Sequence, residues 1–502
     1  MDNILYYGDN LPILRDRNYF KENSVDMIYL DPPFNSQATY NVLFREASIG
    51  EKGGGGRSKS QIQAFTDFWT WDEESGKTFD AIITDKTIKP AVKLLLNSLL
   101  NVLNKNDMTA YLVMMTARLI EMQKVLKPTG SLYLHCDPTA SHYIKLILDA
   151  VFGEENFRNE IIWAYRTGGA GKHWFASKHD TIFFYSKSDE CKFKPLKERT
   201  YYDKPFFNPE QDEEGRYYAD VLLRDVLEGE MNIVNEDGKI EVISVKPVLN
   251  LSKERLGYPT QKPVGLLEIL IRASTEKGDI VLDPFCGCGT TIDASEKLGR
   301  NWIGIDITHL AINLIRQRIK ARYSKEDIKV IGEPTDLEGA KQLAQVDEER
   351  YQFQWWALGL IEAIAVDKKK GADRGIDGEI YYRTGDKTIR TLVQIKSGGV
   401  QVKDIRDFAH VIDREKADYG IFITLEEATA PMEKEAVGEG FIKEPITQAQ
   451  IPKLEIITIK DLLEGKKPKV QQTYTAVNVS YTKAEKHKEK EKPKPFKKLA
   501  DE

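Results

Sequence analysis

Apolar and polar positions along the chain follow two rhythms in turn. Short apolar runs that stop at a glycine or an acid alternate with longer stretches carrying apolar residues at helical spacing, which predicts an α/β fold. Residues 4–7 (Ile-Leu-Tyr-Tyr) and 25–30 (Val-Asp-Met-Ile-Tyr-Leu) predict strands with a helical stretch between them. Residues 80–127 predict helix, stopped by Lys127-Pro128-Thr129-Gly130. A strand at 131–136, a helix at about 139–151 and a strand at 160–165 continue the alternation. His135, near the end of its strand, reads as a packing residue. The pattern breaks from Asn35 to about Asp80, and again over 166–257, where a lone strand (180–185) stands in an irregular stretch rich in Gly, Lys, Arg, Tyr and Phe. It returns at 258 with a helix from Pro263 to about Lys277, a strand at 279–283 and a Gly-rich turn. A helix to Leu298, a strand at 302–306 and a helix over about 308–321 follow.

These rhythms divide the chain. Residues 1–325 read as one domain, with 166–257 inserted between its halves, the kind of position that commonly carries recognition. Residues 326–350 read as a polar linker and 351–465 as a second, smaller α/β block. A chain of 502 residues is too long for one ordinary core, which agrees with that division. Residues 466–502 hold eleven lysines against five acids and read as a disordered tail. The net charge of −6 therefore leaves about −12 on the rest. That balance does not favour a chain that coats nucleic acid non-specifically, but it leaves room for a local basic groove. Four cysteines are too few for a disulfide scaffold, and no His/Cys spacing reads as a zinc site. With no stretch near the ~18 apolar residues of a membrane span and no signal-peptide pattern, a cytoplasmic, nucleoid-associated protein is expected.

Chemistry enters where strands end. Asp31-Pro32-Pro33-Phe34 closes the second strand. The prolines lack N–H donors and fix φ, so the turn is stiff and presents bare carbonyls, one carboxylate and one ring. Ligands of open α/β sheets bind outside such ends, and acceptors beside a stacking face suit a flat ring carrying an amino group. The segment Asp283-Pro284-Phe285-Cys286-Gly287-Cys288-Gly289-Thr290-Thr291 lies between a strand and a helix. Its small residues let backbone approach a ligand, and Asp306, ending the next strand, falls where an acid can take two ribose hydroxyls. The spacing is not that of a dinucleotide loop and no basic residue follows, so a nucleoside without pyrophosphate fits better. Cys286 and Cys288 read as small fillers. The aromatic cluster Phe65 to Trp71, beside the Gly-rich 50–60, suits either closure over a ligand or a DNA groove, or pinning of the loop.

These motifs resemble those of the amino-directed DNA methyltransferases. The 283–291 turn, with Asp283, Phe285, Gly287, Gly289 and Thr290, looks like their S-adenosyl-L-methionine loop. Asp31-Pro32-Pro33-Phe34 looks like their catalytic motif. Pro259-Thr260-Gln261-Lys262-Pro263 looks like the segment at the methionine end of the cofactor, with Gln261, Lys262 and Pro263 as contacts. Tyr7-Gly8-Asp9 resembles the element that brings an acid, here Asp9, near the cofactor adenine. The order is that of the beta class, and the resemblance spans residues 4–320. It implies a Rossmann-like fold, double-stranded DNA as partner and transfer of a methyl group to the exocyclic amine of a flipped base. An Asp at the first motif position implies adenine N6, with cytosine N4 as the alternative. A homodimer is one expected assembly.

The second block carries its own pattern. Asp377 leads into one strand, and Gln394-Ile395-Lys396 ends its neighbour. Oxygen ligands and an ammonium gathered at one end of a small sheet can hold Mg²⁺ and orient a water against phosphate. This resembles the Mrr-like branch of the PD-(D/E)xK restriction endonucleases over about 351–440. The resemblance implies Asp377 as metal ligand, Gln394 in the place of an acid, Lys396 orienting water and Glu362, on a helix from Phe353 to Ala365, as a further ligand. Cleavage, and DNA binding without cleavage, both remain open on these residues.

Overall fold

A computed structural model describes residues 3–33, 39–45, 59–66, 70–166, 173, 175–205, 210–235, 237–249, 252, 254–256, 258, 260–325, 328–346, 351–366, 375–384, 387–443 and 448–474. Phe34, the Gly-rich 50–58, Asp67 to Trp69 and the tail beyond Tyr474 lie outside the described residues.

The first half of the chain runs β1 (Ile4–Tyr7), α1 (Asn10–Arg15), β2 (Val25–Leu30), a hairpin of β3 (Thr39–Arg45) and β4 (Lys59–Thr66), then α2 (Glu73–Thr84), α3 (Pro90–Leu103), α4 (Asp107–Val125), β5 (Leu126–Cys136), α5 (Ser141–Phe152) and β6 (Phe157–Ala164). The single helical stretch expected over 80–127 is three helices. Asp72 caps α2 by accepting from Ser75 N–H, and Asn106 caps α4 by accepting from Thr109 N–H. The last helix ends at Val125, just ahead of the expected stop at Lys127-Pro128-Thr129-Gly130, and those four residues lie in the first part of β5. Pairing with β2 slips there between Val25–Leu126 and Met27–Ser131, so the proline sits in an irregularity where no ladder N–H is needed.

The insert is also more regular than expected. It holds β7 (His179–Ser186), β8 (Lys197–Tyr202), β9 (Glu210–Gln211), β10 (Tyr217–Leu222), β11 (Val226–Glu228), β12 (Glu230–Val234) and β13 (Ile240–Ser244). Then come α6 (Val264–Ser274), β14 (Ile280–Asp283), α7 (Thr290–Lys297), β15 (Asn301–Asp306), α8 (His309–Tyr323) and β16 (Lys329–Ile331). Nine strands form one sheet in the order β11-β6-β7-β5-β2-β14-β15-β1-β16, in which β7 alone runs against its neighbours. All six residues of β2 are buried, as befits a parallel strand covered on both faces. A second sheet, β13-β12-β8-β10-β9, belongs wholly to the insert.

The expected linker contains ordered elements. β16 pairs with β1 at the sheet edge, and α9 (Leu337–Val346) buries Ala340 in the core of the second block. That block continues with α10 (Tyr351–Leu360), β17 (Ile364–Ala365), β18 (Gly378–Thr384), β19 (Lys387–Lys396), α11 (Val402–Arg414), β20 (Tyr419–Thr424), α12 (Ala430–Gly438), β21 (Phe441–Lys443), β22 (Gln450–Pro452), β23 (Leu454–Thr458), α13 (Ile459–Leu463) and α14 (Lys469–Thr473). Its sheet runs β17-β18-β19-β20-β23. The two blocks share a hydrophobic cluster: Leu310 and Leu314 of α8 pack with Trp355, Trp356 and Leu358 of α10, together with Tyr258 and Cys288. Asn313 Nδ2 donates to the Trp355 carbonyl at 2.5 Å across that contact. Among the described residues no helix is long and apolar enough to cross a membrane.

Candidate active site

Strand order explains how distant motifs meet. β2, β14, β15 and β1 are consecutive in the sheet, and their carboxyl ends carry Asp31, Asp283, Asp306 and Asp9. Four acids drawn from both ends of a 300-residue stretch of sequence thus stand side by side along one edge. They line a cavity of about 590 Å³. Gln261, Lys262, Phe285, Gly287, Thr290, Pro32 and Pro33 also line it, as do Tyr29, Tyr258 and a wall from α2 and α4. Pro263 and Gly289 lie behind the lining: Pro263 occupies the N-cap of α6, and Gly289 takes φ +74° at the start of α7, where a Cβ would meet Ile315 at 2.7 Å.

The Asp31 carboxylate is held asymmetrically. Lys262 Nζ donates to Asp31 Oδ2 at 2.5 Å, and both side chains are largely shielded from water. Asp31 Oδ1 is buried with no hydrogen-bond partner. A buried carboxylate oxygen without a donor is costly unless a ligand supplies one. Lys262 is therefore joined to Asp31 as well as standing at the cavity. The Gln261 amide is spent on backbone: its Oε1 accepts from Leu256 N–H at 2.8 Å and its Nε2 donates to the Glu254 carbonyl at 2.7 Å. Its role in the geometry is to fold the segment that presents Lys262.

Asp283 and Asp306 shape the 283–291 turn. Asp283 accepts from Thr291 Oγ1 at 2.5 Å and from Phe285 N–H at 3.1 Å. Burial, together with the charges of Asp31 and Asp306, pushes its carboxyl up to about 7 despite those bonds. Asp306 Oδ2 accepts from Gly287 N–H at 2.9 Å, and its Oδ1 accepts from the backbone N–H and hydroxyl of Thr308, each at 2.9 Å. Burial raises it to about 6. Asp9 caps α1 through Leu11 N–H and pairs with Arg118 at 2.7 Å. Asn10 ties this corner to the cofactor loop, donating to the Pro284 carbonyl at 2.6 Å while accepting from Arg118 Nε at 2.6 Å.

Arg118 and the α2 wall (Asp72, Glu74, Ser75) were not among the sequence candidates. The signal was an arginine inside the apolar periodicity of α4, where a cation must find a partner. His135, read as packing, is fully buried and polar in its contacts. Its Nδ1 meets Tyr29 Oη at 3.0 Å and its Nε2 meets Asp180 Oδ2 at 3.0 Å, while Tyr165 donates to Asp180 Oδ1 at 3.0 Å. Cys286 and Cys288 are buried, and burial pushes both thiols up, in keeping with filling roles.

In the second block, Gly378 pairs with Val393, which sets Asp377 opposite Gln394. Asp377 Oδ2 accepts from Ile395 N–H at 2.7 Å, and Gln394 Oε1 is buried without a partner. Lys396 is part-exposed, 4.0 Å from Asp404. Glu362 departs from expectation. Its helix ends at Leu360, it takes φ +56° in the following turn, and it pairs with Lys320 of α8 at 2.7 Å. It is thereby tied to α8 of the first domain. Among the described residues no group of three or more His, Cys, Asp or Glu side chains could hold a metal ion.

A mostly parallel sheet with β7 reversed, and an acid-lined cavity at the carboxyl ends of its central strands, define a Rossmann-like fold with its cleft at the usual ligand-binding edge. The comparisons with known proteins make the family explicit. The profile of the DNA methylase family matches residues 25–317, and the chain belongs to that family. A restriction endonuclease profile matches residues 350–454. Type II methyltransferase M.EcaI of Enterobacter cloacae is 27% identical over 42% of this chain and 57% of its own length. M1.MboII of Moraxella bovis is 33% identical over 38% of this chain and 71% of its own length. DNA adenine methyltransferase YhdJ of Escherichia coli K12 is 30% identical over 45% and 74%. The chain spans 57% and 59% of the lengths of M.EcaI and M.HpaI, the latter from Haemophilus parainfluenzae.

Proposed function

We propose that the chain methylates the exocyclic amine of a base in double-stranded DNA, adenine N6, using S-adenosyl-L-methionine. The observation that carries this reading is Asp31, a cavity-lining carboxylate with one oxygen fixed by Lys262 and the other buried and unpaired. The amine's lone pair is delocalised into its ring. An acceptor placed at an amine hydrogen draws the nitrogen toward tetrahedral geometry and frees that pair. Asp31 Oδ1 is such an acceptor, and Lys262 keeps its carboxylate oriented. The cavity also suits the cofactor's charge. Six acids line it (Asp9, Asp31, Asp72, Glu74, Asp283 and Asp306) against two bases, Arg118 and Lys262. That excess favours a ligand carrying net positive charge, and the cofactor brings a methyl group already activated on a sulfonium. In this reading Asp306 and Asp9 serve its nucleoside end. The choice of adenine rests on Asp31 as the first residue of the catalytic turn, and YhdJ, a relative, is an adenine enzyme by name. Nucleoside mass spectrometry on DNA from a methylation-free host expressing the chain tests it. N6-methyladenine is expected; N4-methylcytosine alone overturns the base assignment.

A second reading concerns the C-terminal block. The unpaired Gln394 Oε1 opposite Asp377 supports a Mg²⁺-dependent nuclease in which these two residues supply the protein's oxygen ligands. Unmethylated duplex incubated with Mg²⁺ then yields fragments, and Asp377→Ala abolishes them. Intact duplex with the wild-type chain, with and without cofactor, sinks this reading and leaves a domain that assists DNA binding. A homodimer and association with the nucleoid belong to the same proposal. Sedimentation and localisation of a tagged chain test them.

A further inference from the structure

Tyr29, His135, Asp180 and Tyr165 form one hydrogen-bonded chain running sideways through β2, β5, β7 and β6, with each link at 3.0 Å. Tyr29 is buried, lines the cavity and precedes Asp31 by two residues, so both side chains leave the same face. His135 is fully buried, and the edge of Trp163 stands against its ring at 5.5 Å. Trp163 is itself pinned, its indole N–H donating to the Val245 carbonyl at 2.7 Å. The direction of the bonds follows from what each group can give. Asp180 is a carboxylate and only accepts, taking the Tyr165 O–H and the His135 Nε2–H. With the imidazole neutral and its one N–H given to Asp180, Nδ1 accepts and Tyr29 donates to it. The Tyr29 oxygen then has lone pairs and no proton left for the cavity. The carboxylates of Asp31 and Asp283 bear on the same point, since both act electrostatically on the Tyr29 hydroxyl.

We propose that Asp180, acting through His135, fixes Tyr29 as a hydrogen-bond acceptor for the methyl-bearing sulfonium of S-adenosylmethionine. This rests on the methyltransferase reading above and extends it to one atom. A sulfonium polarises its methyl C–H bonds, and an oxygen lone pair held by a donor chain receives them. A tyrosine presenting its proton instead would repel the same group. His135 and Asp180 are thus positioning residues and Tyr29 the ligand contact.

Calorimetry with two ligands tests this. S-adenosylhomocysteine shares every feature of the cofactor except the methyl and the charge on sulfur. Tyr29→Phe should weaken S-adenosylmethionine binding roughly tenfold and leave S-adenosylhomocysteine within about twofold, the size expected for loss of one bond to a charged group. Asp180→Asn keeps the shape of the chain but gives His135 Nε2 a donor. The ring proton then moves to Nδ1, Tyr29 turns its own proton into the cavity, and the preference for the charged ligand falls without loss of the neutral one. Retained S-adenosylhomocysteine binding shows that each variant is folded. Equal weakening of both ligands, or no change in their ratio, overturns the proposal and leaves the chain of bonds a structural brace. If the wild-type protein binds neither ligand, the methyltransferase reading itself falls, and this inference with it.

Discussion

The cavity at Asp31 and the strand ends at Asp377 both place an acid where a strand meets a turn, yet they differ in how much of a site surrounds it. In the first, four consecutive strands of a parallel sheet bring four acids to one edge, and helices α2 and α4 close the wall. In the second, a mixed sheet brings together two neighbours, Asp377 and Gln394, with Lys396 two residues on. The contrast teaches that topology, more than the residues themselves, decides whether a strand-end acid becomes part of a pocket. Parallel strands send every carboxyl end the same way, and a loop then leads into a helix whose N-terminus faces the same cleft. An antiparallel pair such as β18 and β19 sends alternate ends to opposite edges, so fewer side chains converge.

The largest expected break in the comparison is chemical. Asp31→Asn keeps the side-chain shape but loses the charge held by Lys262. Methyl transfer to duplex DNA should fall about 10²–10³-fold, the usual effect of removing one oriented group that acts on the transition state. S-adenosylmethionine affinity should stay within a few-fold. Asp377→Asn should leave methyl transfer unchanged. Incorporation of labelled methyl groups measures both, and a loss of transfer in the Asp377 variant would show that the two centres are not separable.

The next effect sits between the centres. Asn313 of α8 donates to the Trp355 carbonyl of α10, and the shared cluster reaches Tyr258 and Cys288 beside the cavity. Asn313→Ala removes that buried side-chain bond, while the carbonyl keeps its partner within α10, and about 0.5–1.5 kcal/mol of stability should go. Thermal unfolding followed by tryptophan fluorescence reports it. An unchanged midpoint would mean that α10 rides on the first domain without bracing it.

How far the sequence led follows the same division. Asp31, Asp283 and Asp306 were legible because each ends a short apolar run, and a strand followed by a turn fixes where the acid must lie. The expectation failed where the third dimension supplies the partner. The wall from α2 and α4, with Arg118 pairing Asp9, depends on helix packing that no local spacing encodes. The seven strands of the insert were read as irregular, all but 180–185, because several are short and half-exposed, so their alternation is weak. Glu362 looked like a helix residue, but α10 stops at Leu360 and Glu362 takes φ +56° in the turn that follows. His135 looked like packing because a lone histidine in an apolar strand carries no trace of Asp180, 45 residues further on.

A smaller effect tests the electrostatics of the cavity. Asp283 and Asp306 hold protons up to about 7 and about 6. In an unfolded chain both would lose them near pH 4, so the folded state binds more protons between about pH 4 and 7 and its stability falls as pH rises through that window. A bound cation favours the ionised forms, so cofactor binding should release protons near pH 6.5. S-adenosylmethionine affinity should then rise with pH, by up to about tenfold between pH 6 and 8, and level off above. Calorimetry in buffers of different ionisation enthalpy measures the released protons directly. Proton uptake on binding would reverse the sign and place the cofactor's positive charge away from these acids.

The smallest expected effect is also the one that separates the two centres most sharply. Glu362 was the residue that would have made the second centre resemble the first, by adding a third oxygen ligand. It pairs instead with Lys320 of α8, and both side chains are more than two-fifths exposed. An exposed pair of this kind contributes under about 1 kcal/mol. Glu362→Gln should therefore leave unfolding nearly unchanged. It should also leave any Mg²⁺-dependent cleavage at the wild-type rate, whereas Asp377→Ala removes it. A variant at Glu362 that lost cleavage while keeping its stability would bring that carboxylate back to the metal. The turn after α10 would then have to swing away from Lys320 in the active enzyme, and the second centre would be one that assembles only on DNA.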